Sequence, residues 1–255
     1  MPKERLNVDL SGKTAIVTGG SRGIGKAISL ALAQAGANIV IAARSEEEPP
    51  SLPGTIYKTA EEIKVLGGKA LPVRCDVTVA GEVESMVGKA VSTYGAIDIL
   101  VNNAGVLHGA TFLETEISDF DNIWRVNVLG VFLCTRAVLP IMIQRKSGSI
   151  INISSSRAES TDTRNSAYSA SKAGLNRMML KLAAEVAEYN IAVNLLNPGT
   201  MVRSEGIIAR LPANITDSLP PTSIVGPPTV WLAAQDAASY TGKIAQADTF
   251  GTEWP

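Results

Sequence analysis

Cysteine and histidine are scarce in this chain. Its 255 residues include two cysteines, Cys75 and Cys134, and a single histidine, His108. The cysteines lie far apart, with no CxxC spacing and no neighbouring histidine, so the sequence signals neither a disulfide framework nor a metal site. A Ser-His-Asp hydrolase needs a histidine base, and His108 stands in no recognisable hydrolase motif. We therefore expect no metal and no hydrolase triad.

A strong charge of one sign and a long apolar run are also lacking. The formal net charge is -1, and no basic run is long enough to follow a phosphate backbone. The apolar stretches at 126–133 and 137–143 are each shorter than the roughly 20 residues that span a bilayer. Residues 1–9 are charged and lack the apolar run of a secretory signal. We expect no nucleic-acid partner, no membrane partner and a cytoplasmic location.

The chain does have a globular composition and a regular alternation of patterns. It is 45% hydrophobic and 18% charged, which suits a sizeable core. Short β-branched runs alternate with longer stretches of helical periodicity, which predicts parallel strands linked by crossover helices. We expect one α/β domain over residues 1–255, a Rossmann-type doubly wound parallel sheet with helices on both faces. The predicted strands are 14–18, 38–43, 70–75, 97–101, 149–154 and 191–196.

A glycine-rich turn, TGGSRGIG at 18–25, follows the first predicted strand. Its glycines allow close approach of the backbone to a pyrophosphate, and the helix that follows offers unpaired amides and a positive dipole end. A simple strand-to-helix turn is the alternative. The cofactor contacts predicted in this turn are Gly19, Ser21, Arg22, Gly23, Ile24 and Gly25.

The end of the second predicted strand bears on the choice of dinucleotide. A carboxylate there would bind the ribose 2'-hydroxyl of NAD, but Arg44 follows this strand instead. Arg44, together with Arg22, can neutralise the 2'-phosphate of NADP. The acidic residues at 46–48 weaken the local positive field, and two solvated arginines are the alternative reading. NADP(H) is favoured, and NAD(H) is possible.

Residues 168–172 read Tyr-Ser-Ala-Ser-Lys and open a segment of helical periodicity. Four residues make about one helical turn, so Tyr168 and Lys172 project from the same face. A fixed positive charge favours phenolate, so we expect Lys172 to lower the pKa of Tyr168 from about 10 towards the range of a general acid/base. A pair at this spacing also occurs by chance in many helices.

Together, the glycine turn and the Tyr-Lys pair resemble the short-chain dehydrogenase/reductase family, over residues 12 to about 199. The resemblance implies that Ser155 donates a hydrogen bond to the substrate carbonyl, and that Asn127 bends a helix and holds a relay water near Lys172. Ser154 or Ser156 could instead be the donor, and Asn127 could be a packing residue. The further cofactor contacts that the resemblance implies are Asp76, Val77, Asn103, Ala104, Gly105, Tyr168, Lys172, Pro198 and Gly199.

Two segments refine this resemblance. Residues 54–72 are similar to the hydroxysteroid-dehydrogenase-like branch, in which the domain is often joined to a sterol-carrier module. The proline-rich segment at about 200–228 is interpreted as a lid or substrate loop. The family usually has a threonine five residues beyond Pro198, where this chain has Arg203, and Ser204 or Thr200 could replace it. The pocket candidates by position are Leu107, His108, Trp124, Arg157, Met201 and Ile207.

The expected function is hydride transfer between NADP(H) and a small-molecule ketone or secondary alcohol, with Ser155 polarising the carbonyl and Tyr168 supplying the proton. One alternative is a binding protein that senses the dinucleotide without turning it over. Another is a nucleotide-sugar epimerase or dehydratase, which shares the Tyr-Lys pair. The resemblance also implies a homodimer or homotetramer, formed through the helices that contain Asn127 and Tyr168.

Overall fold

The fold is a single Rossmann-like domain built on a parallel sheet. A computed structural model describes residues 8–49 and 52–255. Within these residues the sheet has seven strands in the order β3-β2-β1-β4-β5-β6-β7, and every neighbouring pair is parallel. The strands are β1 Thr14–Thr18, β2 Asn38–Ala43, β3 Ala70–Arg74, β4 Ile99–Asn102, β5 Gly148–Ile153, β6 Ile191–Asn197 and β7 Ile244–Gln246.

The predicted strands differ from the observed ones at their ends. β1 and β2 match their predictions, but β3 ends one residue before Cys75, which is buried although it lies outside the ladder. The β4 ladder begins at Ile99, not at Ile97, and ends at Asn102, one residue beyond the prediction. β5 begins one residue early and ends at Ile153, and β6 extends one residue further. Apolar patterning thus predicts which segments are buried, but it does not predict the residue at which strand pairing begins or ends.

The edge strand β7 is missing from the sequence prediction. It is three residues long, and only Ala245 in it is buried. Such a segment is too short for a period of two to be read. Its place in the sheet depends on pairing with β6, where Leu195, Leu196 and Asn197 are its partners.

Helices cover both faces of the sheet, as predicted. One apolar cluster joins the sheet to Met86, Val138 and Met179, and the other joins it to Ile28, Ile63 and Leu232. Strands covered on both faces are buried throughout, which explains their continuous apolar runs. The helices are α1 Gly23–Gln34, α2 Ile56–Val65, α3 Ala80–Tyr94, α4 Ile117–Trp124, α5 Gly130–Arg145, α6 Ser166–Val186, α7 Glu205–Ile208, α8 Ala213–Thr216 and α9 Gly226–Ala233.

One continuous helix covers residues Ile117–Arg145. A π-helical turn at Arg125–Leu129 joins α4 to α5, so the two apolar runs treated separately above belong to one helix of 29 residues. By length and composition, this helix could cross a membrane, although each apolar run alone is too short to do so. A core helix meets the same criterion, and Val131 and Val138 of α5 are buried in the core. This helix alone is therefore weak evidence for a membrane.

The strand order places the candidate site. β1 lies between β2 and β4, so the crossover connections diverge on either side of it. In open parallel sheets the crevice at such a switch point, beyond the carboxyl ends of the strands, is where ligands bind. The segments that leave the carboxyl ends of β1, β4 and β5 begin at Gly19, Asn103 and Ser154.

Candidate active site

Steric constraints at two glycines shape the turn after β1. The Gly19 amide donates to the Ala42 carbonyl at 2.7 Å, and the φ of Gly19 is +66°. A Cβ on Gly19 would lie 2.8 Å from Nδ2 of Asn103, and one on Gly25 would lie 2.3 Å from the Gly19 carbonyl oxygen. Side chains at these positions would force the turn and α1 apart. The glycines therefore allow the close turn that the sequence predicts.

The N-terminus of α1 borders the pocket and has no side-chain cap from its own N-cap residue. Arg22 caps the helix in an extended conformation without a side-chain hydrogen bond, and the first turn holds no acidic residue. The first amides of any helix have no partner within it, and together with the helix dipole they attract anions. Here Oε2 of Glu205 accepts a hydrogen bond from the Gly23 amide at 2.8 Å. This end of α1 thus suits the pyrophosphate of a dinucleotide.

Two arginines border the pocket next to this turn. Nη2 of Arg22 donates to the Gly54 carbonyl at 2.6 Å, while its Nε is buried without a partner among the described residues. Arg44 follows β2, its side chain is 63% exposed, and Nη1 lies 3.7 Å from Oδ2 of Asp76. The two guanidinium groups, as predicted, line one cavity.

Asp76 lies opposite Arg44 and is charged at neutral pH. Burial acts against the carboxylate, but hydrogen bonds from the amide and hydroxyl of Thr78, with the charges of Arg44 and Arg74, hold the pKa of Asp76 below its ordinary value. The carboxylate therefore competes with any bound phosphate for Arg44. This competition bears on the choice between NAD and NADP.

The turn after β4 is tied to the turn after β1. The Thr18 hydroxyl accepts hydrogen bonds from the amides of Asn103 and Ala104 at 3.0 and 3.1 Å, and Nδ2 of Asn103 donates to the Thr18 carbonyl at 2.8 Å. Asn102 points the other way and donates to Thr135 and Asn152 within the core. Asn103 and Ala104 thus hold the wall of the pocket, which agrees with their predicted position.

Ser155, Tyr168 and Lys172 converge on the same cavity. Ser155 follows β5, and Tyr168 and Lys172 lie one turn apart at the start of α6. The Ser155 hydroxyl accepts a hydrogen bond from the Arg157 amide at 3.2 Å. Nζ of Lys172 is 5.8 Å from the centroid of the Tyr168 ring and donates to the Ile153 carbonyl at 2.8 Å. The helical spacing therefore brings the phenol and the ammonium together, as predicted.

The pKa of Tyr168 departs from our expectation. Burial raises it, and the effects of the nearby Ser155 hydroxyl and of the Arg157 charge offset this only in part. Burial also lowers the pKa of Lys172 to about 8. The expectation that Lys172 lowers the pKa of Tyr168 below its ordinary value is wrong, because the desolvation of the phenol outweighs the effect of the nearby charges.

Asn127 lies in the π-helical turn between α4 and α5 and is fully buried. Its Oδ1 accepts from the Val106 amide at 2.9 Å, and its Nδ2 donates to the Val106 carbonyl and to the Ser171 hydroxyl, both at 3.0 Å. A Cβ built on Gly105 would lie 3.3 Å from Oδ1 of Asn127 and 3.7 Å from Nζ of Lys172. Asn127 therefore positions the loop and helix beside Lys172, and its relay role stays a prediction.

The cavity has a volume of about 760 Å³. Of the predicted site residues, Asn127 and Gly199 do not line it. Among the pocket candidates, Leu107, Arg157, Met201 and Ile207 line the cavity. The predicted residues that line it are Gly19, Ser21, Arg22, Gly23, Ile24, Gly25, Arg44, Asp76, Val77, Asn103, Ala104, Gly105, Ser155, Tyr168, Lys172 and Pro198.

Two pocket candidates lie elsewhere. His108 is directed at α4, where Nε2 is 3.2 Å from Nδ2 of Asn122 and Nδ1 is 3.5 Å from Asp119. Trp124 lines a separate shallow groove on the outer face of α4 and α6. Leu107 and Val126, which are close to them in the sequence, do line the cavity. The sequence therefore predicted which segments border the cavity, but not which side chains point into it.

Gly199 has a structural role. Its φ is +80°, and a Cβ there would lie 2.0 Å from Oδ1 of Asp248 in the C-terminal tail. Arg203, at the position where the family usually has threonine, pairs with Asp217 at 3.0 Å outside the cavity. Thr200 and Ser204, the alternatives to that threonine, both line the cavity.

Several lining residues were not predicted. Leu52, Ser160, Asp162 and Val202 contribute to the cavity wall, and Glu205 reaches the α1 N-terminus. None of them belongs to a motif or a periodic pattern. Val202 and Glu205 lie in the segment at about 200–228 that we interpret as a lid or substrate loop, and the prolines around 49–53 mark the loop that holds Leu52. No such signal marks the loop that holds Ser160 and Asp162.

Comparison with known proteins agrees with this geometry. Hydroxysteroid dehydrogenase-like protein 2 of Bos taurus is 43% identical over 197 residues, which are 76% of this chain and 47% of that protein. The chain thus spans less than half the length of this relative.

Two solved structures are similar over nearly the whole chain. A 7 alpha-hydroxysteroid dehydrogenase complexed with NADH and 7-oxo glycochenodeoxycholic acid superimposes with a TM-score of 0.84, at 29% identity over 94% of each chain. A metagenomic short-chain oxidoreductase in complex with NADP superimposes with a TM-score of 0.78, at 31% identity over 93% of this chain and 97% of that one.

The family model for short chain dehydrogenases matches residues 13–206, which include the glycine turn, Ser155, Tyr168 and Lys172. Relatives of the hydroxysteroid-dehydrogenase-like branch support the predicted sub-family. The chain therefore belongs to the short-chain dehydrogenase family of oxidoreductases, which use nicotinamide dinucleotides.

Proposed function

We propose that this protein transfers a hydride between NADP(H) and a ketone or secondary alcohol. The observation that carries the proposal is the convergence of Ser155, Tyr168 and Lys172 on the cavity that the glycine turn also borders. Bound nicotinamide supplies the hydride, and this chain supplies the groups that hold the carbonyl and move the proton.

Each residue of this group has a distinct task. Ser155 and Tyr168 donate hydrogen bonds to the substrate oxygen, so that charge developing there is stabilised without reorganisation. Tyr168 gives its proton to that oxygen during reduction and takes it back during oxidation. A phenol whose pKa is raised by burial is fully protonated at neutral pH, which suits the reductive direction. Lys172, with a pKa of about 8, can return the proton near neutral pH.

We propose NADP(H) as the favoured cofactor because Arg22 and Arg44 border the pocket beyond the ends of β1 and β2. A 2'-phosphate would replace Asp76 as the partner of Arg44 and could fill the free donor of Arg22. The solved relatives include one complex with NADP and one with NADH. The preference therefore depends on these two arginines.

The substrate class follows from the wall of the cavity. Leu107, Met201, Val202 and Ile207 are apolar residues of the cavity lining, and they suit a ketone with an apolar body. One solved relative is described with a 7-oxo bile acid. Steroid ketones therefore belong in the substrate panel, together with keto-esters, diketones, quinones and acyl thioesters.

The test is consumption of NADPH over that panel, followed by absorbance. We expect turnover of at least one carbonyl, and a fall of about a thousandfold in Tyr168→Phe, because the proton donor is lost. Tyr94→Phe, outside the cavity, is the matched control. Dinucleotide binding without turnover of any carbonyl would favour a sensor, and equal rates in Tyr168→Phe would contradict the assigned chemistry.

We propose a cytoplasmic homo-oligomer. Trp124, Val128, Phe132 and Met178 line an open groove on α4, α5 and α6, and Phe132 is 45% exposed. A second copy would cover these apolar side chains. Sedimentation of the purified protein as a monomer at micromolar concentration would contradict this assembly.

The proposed cytoplasmic location agrees with the state of the cysteines. Both are free and buried, as a reducing compartment allows.

A further inference from the structure

Glu205 lies at the N-terminus of α1, the end of the helix that suits a pyrophosphate. It is the first residue of α7, in the connection between β6 and α9, yet its Oε2 accepts a hydrogen bond from the Gly23 amide at 2.8 Å. Gly23 is the first residue of α1. A carboxylate and a phosphate are both anions with acceptor oxygens, so they compete for the same amides and dipole.

Ser204 and Arg22 lie next to the contact between Glu205 and Gly23. The Cβ of Ser204 lies 3.4 Å from the Cβ position of Gly23, and the Ser204 hydroxyl accepts from the Ile207 amide at 3.4 Å, which caps α7. α7 is thereby held against the glycine turn. Burial lowers the pKa of Arg22, and the charge of Glu205 acts in the opposite direction. The charge of Glu205 therefore acts on the Arg22 guanidinium, while its Oε2 bonds to the Gly23 amide.

We propose that Glu205 sets the affinity for the cofactor, because the pyrophosphate must displace its carboxylate from the α1 N-terminus. Binding then couples two events: the anion takes the Gly23 amide, and the start of segment 200–228 is released from the glycine turn. Ser204 and Ile207 of this segment line the cavity. The entry of the cofactor thus rearranges the wall of the substrate pocket. The inference rests on the proposed dinucleotide site.

The test measures binding, not turnover. Isothermal titration calorimetry would give the Kd of NADPH and of ADP for the wild type, Glu205→Gln and Glu205→Ala. The glutamine variant keeps the size of the side chain but removes the charge that competes with the diphosphate. We expect both ligands to bind about tenfold more tightly in both variants, since a charge-assisted hydrogen bond no longer has to be broken.

Asp217→Asn is the matched control. Asp217 lies in the same segment and pairs with Arg203, away from the glycine turn, so its removal should change Kd by less than about twofold. Thermal melting verifies that each variant is folded. Dinucleotide binding that is equal or weaker in Glu205→Gln would overturn this inference alone. No binding of NADPH by the wild type or by any variant would overturn the proposed function as well.

Discussion

The glycine turn and the segment 200–228 border the same cavity, but different interactions hold them in place. The turn is fixed by hydrogen bonds at the ends of buried strands, such as Gly19 to Ala42 and Asn103 to Thr18. The segment contains two four-residue helices and is attached to the rest of the fold through side chains, with Glu205 at the Gly23 amide and Arg210 at the Leu107 carbonyl. The exposed Arg203–Asp217 pair lies within the segment. Exposed ion pairs add little to stability. We expect the turn to be preorganised and the segment to move.

The two regions also differ in how they use charge. The α1 N-terminus is a fixed positive end that any anion can use. Glu205 supplies such an anion from the segment, and a cofactor would supply another. A rigid binding element thus faces a displaceable one. Variants that act on only one of the two regions can test this division.

After Tyr168→Phe, the largest effect is expected at the end of β5, within the rigid region. Replacing Ser155 by alanine removes a donor to the substrate oxygen, so kcat should fall about a hundredfold. The control is Ser156→Ala, the neighbouring hydroxyl and the alternative donor, which should lower kcat by less than about threefold. Steady-state kinetics with a carbonyl substrate measures both. A larger loss in Ser156→Ala would assign the donor role to that residue.

A smaller effect is expected at the rim of the rigid region. Arg44→Asp removes a partner of the 2'-phosphate and adds a carboxylate that repels it, so the ratio of kcat/KM for NADPH over NADH should fall at least about tenfold. Lys89→Asp makes the same change of charge on the exposed face of α3 and should leave the ratio unchanged. If Arg44→Asp also leaves it unchanged, the end of β2 does not select the cofactor.

Gly199 follows β6 and packs against Asp248 in the C-terminal tail, and its replacement tests this packing. Alanine at the exposed Gly12, whose φ is +78° with open space around the Cβ position, should cost about 1–2 kcal/mol of the free energy of unfolding. Alanine at Gly199 meets the Asp248 carboxylate as well, so overpacking should add about 1–3 kcal/mol. Urea unfolding gives both values.

The double variant Gly199→Ala/Asp248→Ala separates the two causes. Removing the Asp248 carboxylate should recover the stability that overpacking costs. Only the loss caused by the backbone conformation, as seen in Gly12→Ala, should then remain. Equal losses in Gly12→Ala and Gly199→Ala would mean that the tail does not pack against this position.

The contrast between the two regions explains how far the sequence could be read. The glycine turn, Ser155, Tyr168 and Lys172 are predictable because each task requires a particular residue type at a fixed spacing. Gly199 was assigned to the cofactor by resemblance, but its neighbour is Asp248, which is 49 residues away in sequence. Glu205 carries no signal, because its partner Gly23 lies 182 residues away. Long-range contacts of this kind leave no local pattern.

The pKa of Tyr168 shows the same limit within the predicted site. The spacing of Tyr168 and Lys172 gives their proximity, but not the burial that reverses the expected shift. Desolvation depends on the packing of β5, α6 and the 156–165 loop around the pair. Helical periodicity describes only one of these elements.

The smallest expected effect is the pH dependence of stability that Lys172 contributes. Its pKa is about 8 in the folded protein and 10.5 in its ordinary environment. Between these values the unfolded chain binds a proton that the folded chain does not, so stability from this group rises with pH. The pKa of Tyr168 is raised from 10.0, so its opposing contribution begins only near pH 10.

Urea unfolding at pH 7.5 and pH 9.5 would measure this contribution. The stability of the wild type relative to Lys172→Met should increase between the two pH values, because only the wild type carries the buried amine. Lys181 is exposed on the same helix, so its environment changes little on unfolding. The stability of the wild type relative to Lys181→Met should therefore show no such increase. A wild type that loses stability relative to Lys172→Met on going to pH 9.5 would mean that Lys172 is held charged by a partner, and that desolvation does not govern this site.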